Sequence, residues 1–357
     1  MEGPVLFVAV HLGPYLSIAP LAEEFGNGYS LFFVEGVSRD ARQASGLVFW
    51  DSQRVCGDSG TLDRFLKAHG VQAIICSTSE GLLPGNIEEQ VSLAAAHEGI
   101  PLFVIEDFPG NYRHRPGARL DGLFVEDEMM RDVHASHDVS PGLVHCVCNP
   151  RYDGVRAIDR EALRATTRSR LGLGEARVVL WAGQPEVARS YEALARLVSY
   201  LAKTGATLLF KAHPRERAYH EGAYTPLLAA IRNVVDVTHE RETVGLCCAA
   251  DLVITQFSSV GVEAGYLGTP ALFVLFNDLG KTYLRMHKGY ETVPWVARDC
   301  AFVAGSDSEL ANVLDTALFN ESARARVRDN FGRWYGAKPA GSREVATIIR
   351  ESVGSRI

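Results

Sequence analysis

A chain of 357 residues is long for one domain and suits two of about 150–180 residues each, either able to bury a full core. Its composition, 47% hydrophobic and 22% charged, is that of an ordinary globular protein. The net charge of −7 leaves no basic footprint for duplex nucleic acid, although a local basic pocket for phosphate is allowed.

In chain order, the first apolar run is Val5–Val10. It follows Glu2, shows no cleavage-site pattern and is too short to cross a bilayer, and no later run reaches membrane-span length. The expectation is a cytoplasmic protein, with contact to a membrane through a surface helix left open. Val5–Val10 reads as a buried strand, followed by a loop at His11–Pro14 and a helix over Ile18–Phe25. Ser30–Val34, Leu47–Trp50, Ala73–Cys76, Leu102–Ile105, Leu123–Val125 and Val144–Val147 are further strands. Helical patterns at Leu62–His69, Ile87–His97 and Asp127–His134 alternate with them. Continuously apolar strands imply a parallel sheet covered on both faces.

Turn formers gather at Asn149–Gly154, and a charged helix, Arg160–Leu171, opens a second series. Its strands are Val178–Trp181, Thr207–Lys211, Val234–Val237, Leu252–Ile254 and Ala271–Leu275. Its helices are Tyr191–Lys203, Pro226–Asn233, Thr243–Ala249, Val260–Leu267 and Leu310–Leu318. The fold class is therefore α/β, two Rossmann-like doubly wound domains facing a cleft. The expected domains are residues 1–149 and 150–330, followed by a helical tail, 331–357, packing back on the first.

Seven cysteines, none in a C-x-x-C pair, read as buried free thiols rather than a disulfide framework or a metal site. The spacing of His134, His137, His145, Cys146 and Cys148 fits no zinc pattern. The chain has neither a G-x-G-x-x-G fingerprint nor a G-x-x-x-x-G-K-[ST] loop, which argues against a dinucleotide dehydrogenase and a P-loop ATPase.

The chemistry concentrates in three segments. At Asp251–Pro270 an apolar strand ends at Thr255, Ser258 and Ser259 follow, and a helix begins. Free amides and the helix dipole favour an anion there, Gly261 permits close approach, and Glu263 can meet ribose hydroxyls. The same residues also fit a plain serine cap completed by Glu263, and both readings stay open. At Leu208–Glu216 a strand delivers Lys211 and His213, with Arg215 beyond, to one loop. These groups suit a departing phosphate, or equally a solvated basic turn. At Ile105–Asn111, Glu106 and Asp107 end a strand, where one can serve as general base or both can be solvated turn acids. His11 and Gly13 close the first strand and can line the acceptor side.

A strand–HP loop followed about 45 residues later by a strand–SS–helix, in the second of two such domains, resembles GT-B glycosyltransferases. The nearer resemblance is to bacterial capsule and lipopolysaccharide transferases with HP and paired-serine motifs: sialyl-, Kdo- and polymer glycerophosphotransferases. It covers residues 140–320 most specifically. It implies donor-phosphate binding by His213, Ser258 and Ser259, with Gly183 and Gln184 near the donor and Asn149–Asp153 as linker. Sialyltransferases use a D/E-D/E-G motif as base, which Phe108 and Pro109 interrupt here before Gly110. The expected activity is metal-independent sugar transfer from a nucleotide-sugar, a substrate rather than a cofactor, to a saccharide, lipid-linked or small-molecule acceptor. Surface polysaccharide synthesis is the expected setting. Rivals are a non-hydrolysing UDP-sugar 2-epimerase, a polymer glycerophosphotransferase and a non-catalytic nucleotide-sugar-binding protein.

Overall fold

The computed structural model describes residues 3–10, 12–26, 30–34, 48–50, 59–78, 87–185, 188–214, 216–240 and 242–354. The chain forms two compact units. One comprises Met1–Asp153 with Lys338–Ile357, and the other Gly154–Ala337.

The first unit carries a seven-stranded sheet: β1 (Val5–Ala9), β2 (Ser30–Val34), β3 (Val48–Trp50), β4 (Ala73–Ser77), β5 (Leu102–Ile105), β6 (Gly122–Val125) and β7 (Val144–Cys146). Their order is β3-β2-β1-β4-β5-β6-β7, and every pairing is parallel. The direction of winding reverses between β1 and β4. Val5, Phe7 and Ala9 share one buried cluster with Val345, Ala346 and Ile349, so the C-terminal helix Gly341–Gly354 covers this face of the sheet. Gly341 seats that helix, because a Cβ there would fall 2.1 Å from the Cys148 carbonyl oxygen.

The second unit holds β8 (Val178–Ala182), β9 (Thr207–Lys211), β10 (Val234–Asp236), β11 (Leu252–Thr255), β12 (Ala271–Val274) and β13 (Phe302–Ala304). The order is β10-β9-β8-β11-β12-β13, again wholly parallel, with the reversal between β8 and β11. Along β8, Val179 and Trp181 enter one buried cluster while Val178 and Leu180 enter another. Both faces of the sheet are thus dry, which is why its strands are apolar at every position.

Several elements differ from expectation. A helix starts at Leu12, where a loop was expected to continue through Pro14; proline is tolerated in a first turn because its missing N–H has no helical partner there. The expected helix Pro226–Asn233 is only Thr225–Leu228. Asn233 is already tied to the sheet, its carbonyl accepting the Leu208 amide at 2.9 Å. β13, three residues long, lacked a pattern long enough to be read. Among the described residues, no helix is long and apolar enough to cross a membrane.

Candidate functional site

In open α/β sheets, ligands bind beyond the carboxyl ends of the strands, at the point where winding reverses. Several of the expected site residues of each unit follow the strands at that place.

In the second unit the reversal lies between β8 and β11. Gly183 and Gln184 follow β8, Gln256–Ser259 follow β11, and His213 follows the neighbouring β9. The three exits are cross-braced. The Thr255 hydroxyl donates to the Ala182 carbonyl at 2.8 Å, the Gly183 amide to the Lys211 carbonyl at 2.8 Å, and Gln256 Nε2 to the Ala188 carbonyl at 2.7 Å. A Cβ at Gly183 would lie 3.2 Å from the His213 nitrogen and the Lys211 oxygen, so glycine lets the β8 loop run against the β9 exit. Ser258 is the N-cap of the helix Ser259–Tyr266, its Oγ accepting the Val260 amide at 3.2 Å. Gly261, one turn in, presses this helix onto the sheet, since a Cβ there would meet Phe273 Cζ at 2.7 Å.

Two expected donor residues have partners within the protein. Glu263 is buried, and its Oε2 accepts the Thr243 hydroxyl at 2.7 Å. Lys211 turns its ammonium to the backbone, donating to the carbonyls of Thr238 at 3.3 Å and Glu240 at 2.5 Å. Burial holds its pKa below the ordinary lysine value. His213 is half-buried beside Gly183. Arg215 lies outside the described residues.

In the first unit the two neighbouring acids diverge. Glu106 is 4% exposed and faces inward, its Oε1 accepting the Tyr112 amide at 3.0 Å. The fully buried His134 places Nε2 2.9 Å from the same oxygen, a close contact poorly aligned for a hydrogen bond. Asp107 is half-buried. Its Oδ1 accepts the Thr78 hydroxyl at 2.8 Å and Asn111 Nδ2 at 2.7 Å, and a Cβ on Gly13 would lie 3.4 Å from Oδ2. The exits of β1, β4 and β5 therefore meet at Asp107, at this unit's own reversal point. Burial pushes the neighbouring Tyr112 phenol up to about 12, keeping it protonated. His11 lies outside the described residues. Sequence reasoning passed over Thr78 and Asn111, although Thr78 follows an apolar strand just as Gly183 does.

The His/Cys residues set aside as metal ligands are dispersed. His134 faces Glu106, His145 stacks on Phe124 at 5.4 Å, and Cys146 lies 3.3 Å from Lys338 Nζ. Among the described residues, Asp63, His97 and Glu98 come close enough to hold a cation, but Lys67 already pairs with Glu98 at 3.0 Å.

Residues 115–343 match the family model described as CDP-Glycerol:Poly(glycerophosphate) glycerophosphotransferase. No curated protein matches. The fold is similar to that of a putative UDP-N-acetylglucosamine 2-epimerase from Listeria monocytogenes, with a TM-score of 0.68, 14% identity, and 100% of this chain and 97% of that one covered. The S. aureus MnaA–UDP co-structure gives a TM-score of 0.70 at 10% identity, covering 99% and 97%. Anabaena Alr3699/HepE in complex with UDP and glucose gives 0.68 at 13%, covering 99% and 100%. These likenesses are to GT-B folds.

Proposed function

The chain belongs to the CDP-glycerol:poly(glycerophosphate) glycerophosphotransferase family, and from that premise we propose that it moves a glycerophosphate-type group from a cytidine-diphosphate donor to an acceptor hydroxyl. The observation that carries the proposal is that the family match contains both His213 and the Ser258-capped helix, at the exits of β9 and β11, the two strands that flank β8 in one sheet.

The donor's phosphates would lie at the N-terminus of the helix Ser259–Tyr266, where amide donors and the helix dipole stabilise negative charge. His213, about one loop away, would hydrogen-bond the phosphate that leaves. Lys211 contributes through the backbone it anchors. Asp107 is the favoured base, since it is the less buried of the two acids and is oriented by Thr78 and Asn111. The acceptor oxygen forms a bond to the distal phosphorus as its proton passes to the Asp107 carboxylate. The bridging P–O bond breaks and CMP departs with the electron pair. Rate gain comes from alignment and from charge stabilisation on the leaving phosphate. The acceptor would be a saccharide, lipid-linked or small-molecule hydroxyl.

Sugar transfer from a nucleotide-sugar is the second reading, supported by the HP and paired-serine pattern and by the UDP-and-glucose complex of a similar fold. One assay separates the readings. The protein is incubated with CDP-glycerol or UDP-sugars and a polyol-phosphate acceptor, and products are identified by mass spectrometry. CMP release with acceptor growth supports glycerophosphate transfer. UDP release with a glycosylated acceptor supports sugar transfer, and an epimerised UDP-sugar without acceptor change would replace both.

A further inference from the structure

Behind the second unit's site, buried polar groups run from one loop to the other. The Gln184 amide, on the β8 exit, donates to Ser190 Oγ at 3.1 Å. The Ser190 side chain acts on the Tyr224 hydroxyl, favouring its ionised form, while that hydroxyl donates to Glu216 Oε1. The Glu216 amide donates to the His213 carbonyl at 2.9 Å, on the β9 exit. Ser190 and Glu216 are 1% exposed and Tyr224 is 2% exposed. The Tyr224 ring is fixed by Phe210 at 4.9 Å and Tyr191 at 5.3 Å. Burial, and then the Glu216 bond, raise its pKa above the ordinary tyrosine value, so the phenol stays a donor.

A carboxyl group is costly to bury, and apolar packing alone would fill this space at less cost. What a buried hydrogen-bonded network adds is a single geometry for the segments that it joins. Here the joined segments are the two loops that carry Gln184 and His213.

We propose that Tyr224 is a positioning residue of the second unit's site: through Ser190 and Glu216 its hydroxyl locks the β8 and β9 exits in one register, so that Gln184 and His213 meet the donor together. The proposal rests on reading those loops as the donor site.

The test uses the full chain and three variants: Tyr224→Phe, Glu216→Gln and the double variant. Phenylalanine keeps the ring packing and removes only the hydroxyl. It also strips Glu216 of its phenol partner, so Tyr224→Phe lowers both melting temperature and affinity for CDP. Glu216→Gln keeps an acceptor for the phenol and stays within about threefold of wild-type affinity. The double variant no longer buries a carboxyl that has lost its phenol donor, so it recovers melting temperature while its affinity stays about tenfold down. Hydrogen exchange without nucleotide accelerates severalfold in both 183–190 and 212–217, and not in β11 or β12. The proposal is overturned if affinity recovers along with melting temperature, or if exchange rises in one loop only, in neither, or across the whole unit. If the wild type binds neither CDP nor UDP, the donor-site reading falls, and the exchange result alone decides whether Tyr224 ties the loops together.

Discussion

Replacing Ser258 with alanine separates two roles of one hydroxyl. In the structure Ser258 Oγ caps a helix by accepting the Val260 amide at 3.2 Å. Losing such a cap costs about 1 kcal/mol. In a unit spanning residues 154–337, that lowers the melting temperature by roughly 2–4 °C. The same hydroxyl, if it also bonds the donor phosphate, changes the response to ligand. CDP at about a hundred times its dissociation constant stabilises wild type by about 2.7 kcal/mol. A tenfold weaker variant meets that concentration at only about ten times its constant and gains about 1.4 kcal/mol. Differential scanning calorimetry with and without CDP therefore shows a lower starting temperature and a ligand-induced rise about half that of wild type. Ser258→Thr keeps both functions and stays near wild type. A full ligand-induced rise in the alanine variant would refute the phosphate role and leave a cap only.

Asp107→Asn keeps the side chain's shape and loses the base, so turnover falls by about 10²–10⁴-fold with CDP affinity unchanged; calorimetric titration and product assays check this, and a matching loss of affinity would contradict it. Glu106→Gln acts differently: it disturbs the buried contact with His134 and shows as a lower urea midpoint. Gly265→Ala drives a Cβ to within 2.2 Å of the Phe331 ring, which is 3% exposed, so urea unfolding shows a loss of about 1–3 kcal/mol. His145 is held below its ordinary pKa of 6.5 by burial and then by Arg131. Below pH 6.5 the unfolded chain takes up a proton that the folded chain refuses, so stability falls as pH drops from 6.5 through the lowered folded value. His145→Gln removes that increment, and urea midpoints compared at pH 7.5 and below 6 show a shallower acid decline than in wild type.

The sheets were legible because dry parallel strands leave no ambiguity of face: Val178–Trp181 is apolar at every position, and both sides prove buried. Boundaries were less legible where a residue belongs to two patterns. Pro14 reads as a loop former yet sits inside a first helical turn. The apolar stretch before Asn233 reads as helix, but the sheet already claims the Asn233 carbonyl. The serine pair was visible as a strand-to-helix junction. The long-range partner of Glu263 was not visible there. Glu263 bonds Thr243, twenty residues earlier in the chain and on a different helix.

The same limit explains why the acids could not be told apart. Residues immediately past a strand are still held in the layer of the sheet: Thr78, Glu106, Ala212 and Gln256 are all buried. The next residue after β5 and after β9, Asp107 and His213, is only half-buried. Alternation alone predicts that such neighbours point apart. It does not say which points outward, because that depends on partners remote in sequence. Tyr112 and His134 draw Glu106 in, and Thr78 turns Asp107 toward Gly13. For Lys211 the carbonyls of Thr238 and Glu240 make the equivalent choice. A charge at the last position of a strand or immediately past it is therefore drawn into the protein, and one two positions past the strand is left more open. On that reasoning His213 rather than Lys211, and Asp107 rather than Glu106, are the groups whose removal should alter chemistry more than stability.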